Sequence, residues 1–137
     1  MRCKYHISLL FFFCMLIAPG CNNDIPNNDS GLMGPALKWK DGCVKSFPVE
    51  GGTTMFICTN CPELWLIGYR ETGKEYRYPT IKGPDGSFDN GWVKGYTSAN
   101  SLTVIVEPNE GDEREIIVFL EYEDSFANVT VKQRGKS

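Results

Sequence analysis

Apolar and polar residues alternate with a period of two over much of the C-terminal part of the chain, between residues 102 and 133. This alternation is typical of half-buried β-strands, because successive side chains of a strand point to opposite faces of the sheet. Turn-forming residues, among them proline, glycine, asparagine and aspartate, interrupt the pattern twice. The pattern therefore predicts three consecutive strands, at 102–107, 113–122 and 129–133.

Shorter apolar segments, separated by glycine and proline turns, predict further strands at 36–40, 43–49, 53–58, 65–70 and 74–78. In the segment 65–70, alternation places Trp65 and Tyr69 on one face and Leu66 on the other. No segment of ten residues repeats its apolar positions at helical spacing. The chain is therefore predicted to be all-β, with a single β-sandwich domain over residues 36–137.

The first twenty residues have the features of a secretory signal peptide. Arg2 and Lys4 precede a largely apolar run at 7–18, which is too short to span a bilayer. Small residues then lead to Cys21, and this junction resembles the lipobox of bacterial lipoproteins. The resemblance implies an exported protein held at the outer membrane of the cell envelope by a lipid on Cys21. Because positions 18 and 20 also fit ordinary secretory cleavage, a soluble secreted protein is the alternative.

Residues 21–35 are rich in asparagine, aspartate, proline and glycine. Such a composition buries too little apolar area to offset its ordering entropy, so we predict a flexible linker. About 100 residues remain, which suffices for one sandwich domain without help from a metal. The chain has a net charge of −3 and no basic cluster, which argues against nucleic-acid binding.

Three cysteines follow Cys21 in the sequence. Disulfides are permitted in exported proteins, and we predict one bridge from Cys43 to either Cys58 or Cys61. Cys58 and Cys61 also form a C-x-x-C motif. Redox-active motifs of this kind stand at the start of a helix, whereas here the motif closes a strand pattern, so we interpret the two residues as partly buried thiols.

Metal and catalytic chemistry find little support in the sequence. The single histidine, His6, lies in the signal peptide, which removes zinc sites and histidine-dependent nucleophiles from the mature chain. Asp85 and Asp89 have the spacing of a calcium loop, but Tyr96 stands where the bidentate glutamate is required. We therefore predict a non-enzymatic protein with no catalytic residue, no metal and no cofactor.

Between residues 79 and 96 the alternation lapses, which predicts a long irregular loop of the kind that is often functional. Aromatic residues are concentrated in or beside it. Sugars stack their apolar faces on exposed aromatic rings, so these residues are the candidate ligand-binding set: Tyr76, Tyr78, Phe88, Trp92 and Tyr96. The competing interpretation is that Trp92 and some of the tyrosines fill the sandwich core.

The turn at Asn109, the strand opening at Arg114 and the closing strand that ends at Gln133 carry a likeness to a known family. Together with Gly51-Gly52 before a strand, they resemble BACON-type domains, which are immunoglobulin-like β-sandwich modules of exported Bacteroidetes proteins. The resemblance implies an immunoglobulin-like sandwich and a role in carbohydrate binding. Asn109, Arg114 and Gln133 are themselves expected to hold strands together, since Asn favours turns and Arg114 opens a strand.

The sequence thus predicts a cell-envelope lipoprotein whose non-catalytic module binds carbohydrate or mucin-like glycoprotein. The alternative is a structural or spacer lipoprotein that docks an envelope protein and has no affinity for glycans. Ile105, Ile117 and Phe119, which fall on the nominally outer strand faces, are the positions that favour docking.

Overall fold

The computed structural model describes residues 35–136. The predicted signal peptide, the predicted acylation site Cys21 and the linker up to residue 34 lie outside the described residues. Within the described range no helix is long and apolar enough to cross a membrane.

Strands separated by turns and loops make up the regular structure of the described domain. In chain order they are β1 (Trp39–Lys40), β2 (Val44–Phe47), β3 (Gly52–Cys58), β4 (Trp65–Glu71), β5 (Ser87–Asp89), β6 (Val93–Ser98), β7 (Ser101–Val106), β8 (Arg114–Tyr122) and β9 (Ser125–Gln133).

The strands form two sheets, a four-stranded sheet in the order β2-β9-β8-β4 and a five-stranded sheet in the order β1-β3-β7-β6-β5. All neighbouring strands are antiparallel except β2 and β9, which run parallel. The apolar residues of the inner faces form one core cluster, whose fully buried members include Phe56, Leu66, Leu102, Val104, Ile116, Val118, Leu120, Val129 and Val131. The predicted all-β sandwich in a single domain is confirmed.

The region predicted as a long loop contains two strands, β5 and β6. In β6 the inward positions are Val93, Gly95 and Thr97, which alternate with exposed neighbours. The sequence pattern did not reveal this strand because only one of its three inward residues is strongly apolar. Gly95 is needed there, since a Cβ at this position would overlap the ring of the buried Phe88.

The strand predicted at 74–78 is absent from the structure. Only Arg77 pairs with β4, through an isolated bridge to Tyr69. The inward and outward positions of β4 also differ from the prediction, because the register with β8 shifts between Leu66 and Gly68. This irregularity puts both Leu66 and Tyr69 in the core and leaves Trp65 on the outside. A bulge of this kind breaks the period of two on which the prediction depended.

Candidate functional site

The predicted ligand-binding aromatics do not form one surface. Phe88 is 2% exposed and stacks on Tyr69, with ring centroids 4.8 Å apart. Trp92 is 9% exposed and lies under the guanidinium of Arg114, at 4.4 Å from its ring centroid. Neither ring has an exposed face on which a sugar could stack. The prediction that Phe88 and Trp92 contact a ligand is therefore wrong, and both are core residues.

The other three predicted aromatics are exposed on opposite sides of the sandwich. Tyr96 lies in β6, on the outer face of the five-stranded sheet, and is 45% exposed. Tyr76 and Tyr78 follow β4 and make an edge-to-face ring pair with centroids 5.4 Å apart. Tyr76 also contacts the ring of Phe119, which lies in β8 of the four-stranded sheet.

Aromatic side chains are gathered on the outer face of the four-stranded sheet. We call the set formed by Trp65, Tyr76, Tyr78, Phe119 and Phe126 the aromatic surface. Phe119 is half-buried at its centre, and the other four are among the exposed large hydrophobic residues of the described domain.

Strand register fixes the first row of this surface. Glu121 in β8 pairs with Phe126 in β9 on one side and with Trp65 in β4 on the other. Paired residues of antiparallel strands point to the same face, so the three side chains stand in line across the sheet. Two strand spacings of about 4.8 Å separate Trp65 from Phe126 by roughly 10 Å, with a carboxylate between the two rings.

The second row is held together by Tyr76. Phe119 pairs with Asn128 in β9 and with Gly68 in β4. The Tyr76 ring lies where a side chain of residue 68 would be, and its hydroxyl donates a 2.6 Å hydrogen bond to the carbonyl of Ile67. Burial, and next the neighbouring Tyr78, raise the pKa of Tyr76, so the hydroxyl stays a donor at neutral pH.

Polar groups adjoin the rings of the first row. The indole N–H of Trp65 donates to a carboxylate oxygen of Glu63 at 3.3 Å, which fixes one edge of the indole. Glu121 is partly exposed between the rings, and its carboxylate oxygens are acceptors. Exposed apolar faces with hydrogen-bonding groups at their edges match the mixed character of a sugar ring, which has apolar faces and a rim of hydroxyl groups.

The residues Asn109, Arg114 and Gln133 meet at the opposite end of the sandwich, where they form a hydrogen-bond network. The side chain of Gln133 is 2% exposed. Its carbonyl oxygen accepts from Arg114 Nε at 2.8 Å, and its amide nitrogen donates to the carbonyl oxygens of Pro48, Val49 and Glu107 at 2.8 to 3.2 Å. The network therefore ties β9 and β8 to the two segments that flank β3 and β7.

Arg114 and Asn109 complete this network. The guanidinium Nη2 of Arg114 donates to the carbonyl of Pro108 at 3.2 Å, and burial lowers the pKa of the group while nearby Glu71 opposes the shift. The Asn109 amide donates to the carbonyls of Asp112 and Arg134, each at 2.8 Å. The polar side-chain atoms of Asn109, Arg114 and Gln133 are thus hydrogen-bonded within the protein, and these bonds connect strands and turns.

A cleft of about 470 Å³ opens beside this network. Its charged side chains have both signs, with Glu71, Glu113 and Glu115 near Arg114 and Lys132. Its aromatic residue, Phe47, is buried in the core. The cleft offers no exposed ring, so the aromatic surface is the better candidate for a ligand site.

The predicted bridge from Cys43 to Cys58 or Cys61 is wrong, whereas the interpretation of Cys58 and Cys61 as buried thiols is confirmed. Cys58 and Cys61 are both free thiols, so neither forms a bridge to Cys43. The carbonyl of Cys43 accepts from Thr130 N at 2.9 Å, which places Cys43 beside the four-stranded sheet, whereas Cys58 ends β3 in the other sheet. Burial, together with contact to Cys58, raises the pKa of the Cys61 thiol to about 12. The Cys61 thiol is therefore neutral and unreactive in the folded domain.

No candidate metal-binding site is found in the described domain. Residues 35–136 contain no group of three or more His, Cys, Asp or Glu side chains placed to hold a metal ion.

The positions that favoured protein docking are only partly covered, since Ile105 is 37% exposed and Ile117 and Phe119 are half-buried.

Sequence reasoning missed Trp65 and Phe126 as candidate site residues. Phe126 could have been found by extending the last strand backwards, because Ala127 and Val129 alternate with it and are buried. Trp65 could not, since its facing depends on the bulge after Leu66. Phe119 had been placed on the outer face, but as a docking residue.

The chain is similar in structure to a protein from Bacteroides thetaiotaomicron solved by NMR, with a TM-score of 0.64 and 25% sequence identity. That match covers 82% of this chain and 98% of the other chain. A Bacteroides ovatus GH5 xyloglucanase, solved in complex with a XXXG heptasaccharide, matches with a TM-score of 0.48 and 16% identity. This second match covers 74% of this chain and 19% of the enzyme, and it carries no argument about function.

No protein-family model matches the chain, and no curated protein does. The first structural likeness extends over nearly the whole of the Bacteroides thetaiotaomicron protein, which supports the sandwich as a complete fold unit.

Proposed function

We propose that this protein is a cell-envelope lipoprotein whose β-sandwich binds carbohydrate, either as polysaccharide or as the glycan chains of glycoproteins, without catalysis. The observation that carries the proposal is the aromatic surface. Trp65, Tyr76, Tyr78 and Phe126 each leave two-fifths or more of their area in solvent on one sheet face. The anchor in this proposal is Cys21, and the BACON-like character of the domain remains part of it.

The exposed rings of the aromatic surface and the polar groups at their edges favour a glycan as the ligand. Large apolar surfaces are normally buried, and an exposed cluster rimmed by polar groups marks a binding site. Two of the rings are held by hydrogen bonds, Tyr76 to the carbonyl of Ile67 and Trp65 to the carboxylate of Glu63. Binding to a preformed set of rings orders few side chains, so little conformational entropy is lost on binding.

The first test is retention of the protein in native gels that contain neutral polysaccharides or mucin. Trp65→Ala is expected to weaken retention by roughly fivefold or more, since one aromatic stacking contact contributes about 1 kcal/mol. Tyr96→Ala is the matched control, because Tyr96 is similarly exposed but lies on the other sheet. Wild-type protein that is not retained by any glycan, or equal losses in both variants, would contradict the proposal.

A second candidate function is docking of an envelope protein through the five-stranded sheet. Met55, Thr103 and Tyr96 stand in one register row on its outer face, and Ile105 follows in the next row. Met55 and Tyr96 are each more than two-fifths exposed, and methionine and tyrosine are enriched at protein interfaces. A protein that binds no glycan, and loses a cross-linked envelope partner on Tyr96→Ala, would establish this function in place of the first.

A further inference from the structure

Carboxylates surround the first row of the aromatic surface. Glu121 stands between Trp65 and Phe126 in the strand register, and Glu63 touches the indole N–H of Trp65. The turn that precedes Phe126 adds Glu123 and Asp124, both exposed. The rings that would stack on a ligand therefore lie in a negative field.

Basic side chains are more distant on this face. Arg70 pairs with Ile117, two rows beyond Glu121 along β8, which is about 13 Å at 3.3 Å per residue. This distance exceeds the Debye length of about 8 Å at physiological ionic strength, whereas Glu121 adjoins both rings. Arg77 is exposed and pairs with Tyr69, which lies four residues from Trp65 along β4, or roughly 13 Å. Lys132 lies one row beyond Arg70.

We propose that the aromatic surface binds neutral glycans and excludes acidic ones, that is, chains that carry carboxylate or sulfate groups. The inference rests on the proposed function and names its ligand class. Glu121 and Glu63 accept hydrogen bonds from the hydroxyl groups of a neutral sugar that is stacked on Trp65 or Phe126. An anionic substituent at the same place meets like charge at short range, where screening is weak.

The test compares two polymers with the same backbone, hydroxyethyl cellulose and carboxymethyl cellulose, by affinity electrophoresis and calorimetry with the full chain. Neutral polymer is expected to bind at least about tenfold more tightly at low salt, and raising the salt is expected to shrink this ratio. Glu121→Gln is expected to raise the affinity for the carboxymethylated polymer several-fold. Glu115→Gln, on the same strand and face but three rows away, is the matched control and is expected to leave the ratio unchanged.

The outcomes separate this inference from the proposed function. Wild type that binds both polymers equally, or prefers the charged one, overturns the neutral selectivity and leaves glycan binding intact. Wild type that binds neither polymer, nor any other glycan tested, overturns both. An unchanged ratio in Glu121→Gln overturns the role of the carboxylate, and Glu63→Gln repeats this test should the first variant fail to fold.

Discussion

At the scale of single residues, Gln133 shows how a polar side chain can be a core residue. It is fully enclosed, yet each polar atom has a partner: Arg114 for its oxygen and three backbone carbonyls for its nitrogen. Sequence alone, through the family resemblance, indicated that Asn109, Arg114 and Gln133 hold strands together. It could not indicate the third contact, Trp92 beneath Arg114, since residues 92 and 114 come together only when the sheets pack.

Replacement of Gln133 by leucine should therefore destabilise the domain strongly. Gln133→Leu keeps the volume but leaves the partly buried Arg114 Nε–H without its acceptor. It also removes one of the two donors to each of the carbonyls of Val49 and Glu107, which keep hydrogen bonds from Asn109 N and Arg114 Nη2. We expect a loss of about 2–4 kcal/mol in the free energy of unfolding, measured by urea denaturation. Lys132→Leu, the same replacement at the exposed neighbour, should change stability by less than about 0.5 kcal/mol. Similar values for the two variants would show that the network contributes no stability.

At the scale of elements, strands were predictable where their inward positions are occupied by valine, isoleucine or leucine. The inward residues of β7 and β8, such as Val104 and Val118, belong to this class, and both strands were predicted to within about a residue at each end. β6 was missed, since glycine and threonine occupy two of its inward positions. The bulge in β4 was missed because it depends on pairing with β8, which is a tertiary property. The site was therefore harder to predict than the scaffold.

Gly68, next to this bulge, links strand geometry to the aromatic surface. A methyl group at residue 68 would overlap the Tyr76 ring, so Gly68→Ala should displace that ring from Phe119 and break its bond to Ile67. We expect a loss of about 1–2 kcal/mol in stability and weaker glycan retention. Two-dimensional NMR of the tyrosine ring should show the displacement.

The matched variant for this prediction is Tyr76→Phe, which removes only the hydroxyl bond. It should cost about 1 kcal/mol or less and keep the ring in contact with Phe119. If Gly68→Ala leaves the Tyr76 ring signals and glycan retention unchanged, then the glycine does not determine the position of the tyrosine.

At the scale of the whole molecule, the two ends of the sandwich differ in what they carry. β8 and β9 run for about 26 Å between a turn near Ser125 and the network around Gln133. The first described residue lies at the Ser125 end, where Ser125 Oγ donates to the carbonyl of Pro35 at 2.6 Å. Asn60 holds the following segment there, through bonds to Ala36 O and Lys38 N. The last described residue, Lys136, donates its backbone N–H to the carbonyl of Gly111 at the other end, at 2.8 Å.

The first row of the aromatic surface is therefore close to the point where the chain enters the domain, since Phe126 directly follows Ser125. A globular protein inserted directly before Pro35 should hinder a long polysaccharide and lower its retention several-fold. The same protein appended after Ser137 should leave retention unchanged, because Lys136, the last described residue, lies near the opposite network. A glycine–serine spacer of about twenty residues before Pro35 should restore retention, since its root-mean-square span is roughly 25 Å. Affinity electrophoresis of the three fusions measures this. If the two unspaced fusions lose retention equally, the polysaccharide does not occupy the end of the sandwich that carries Trp65 and Phe126.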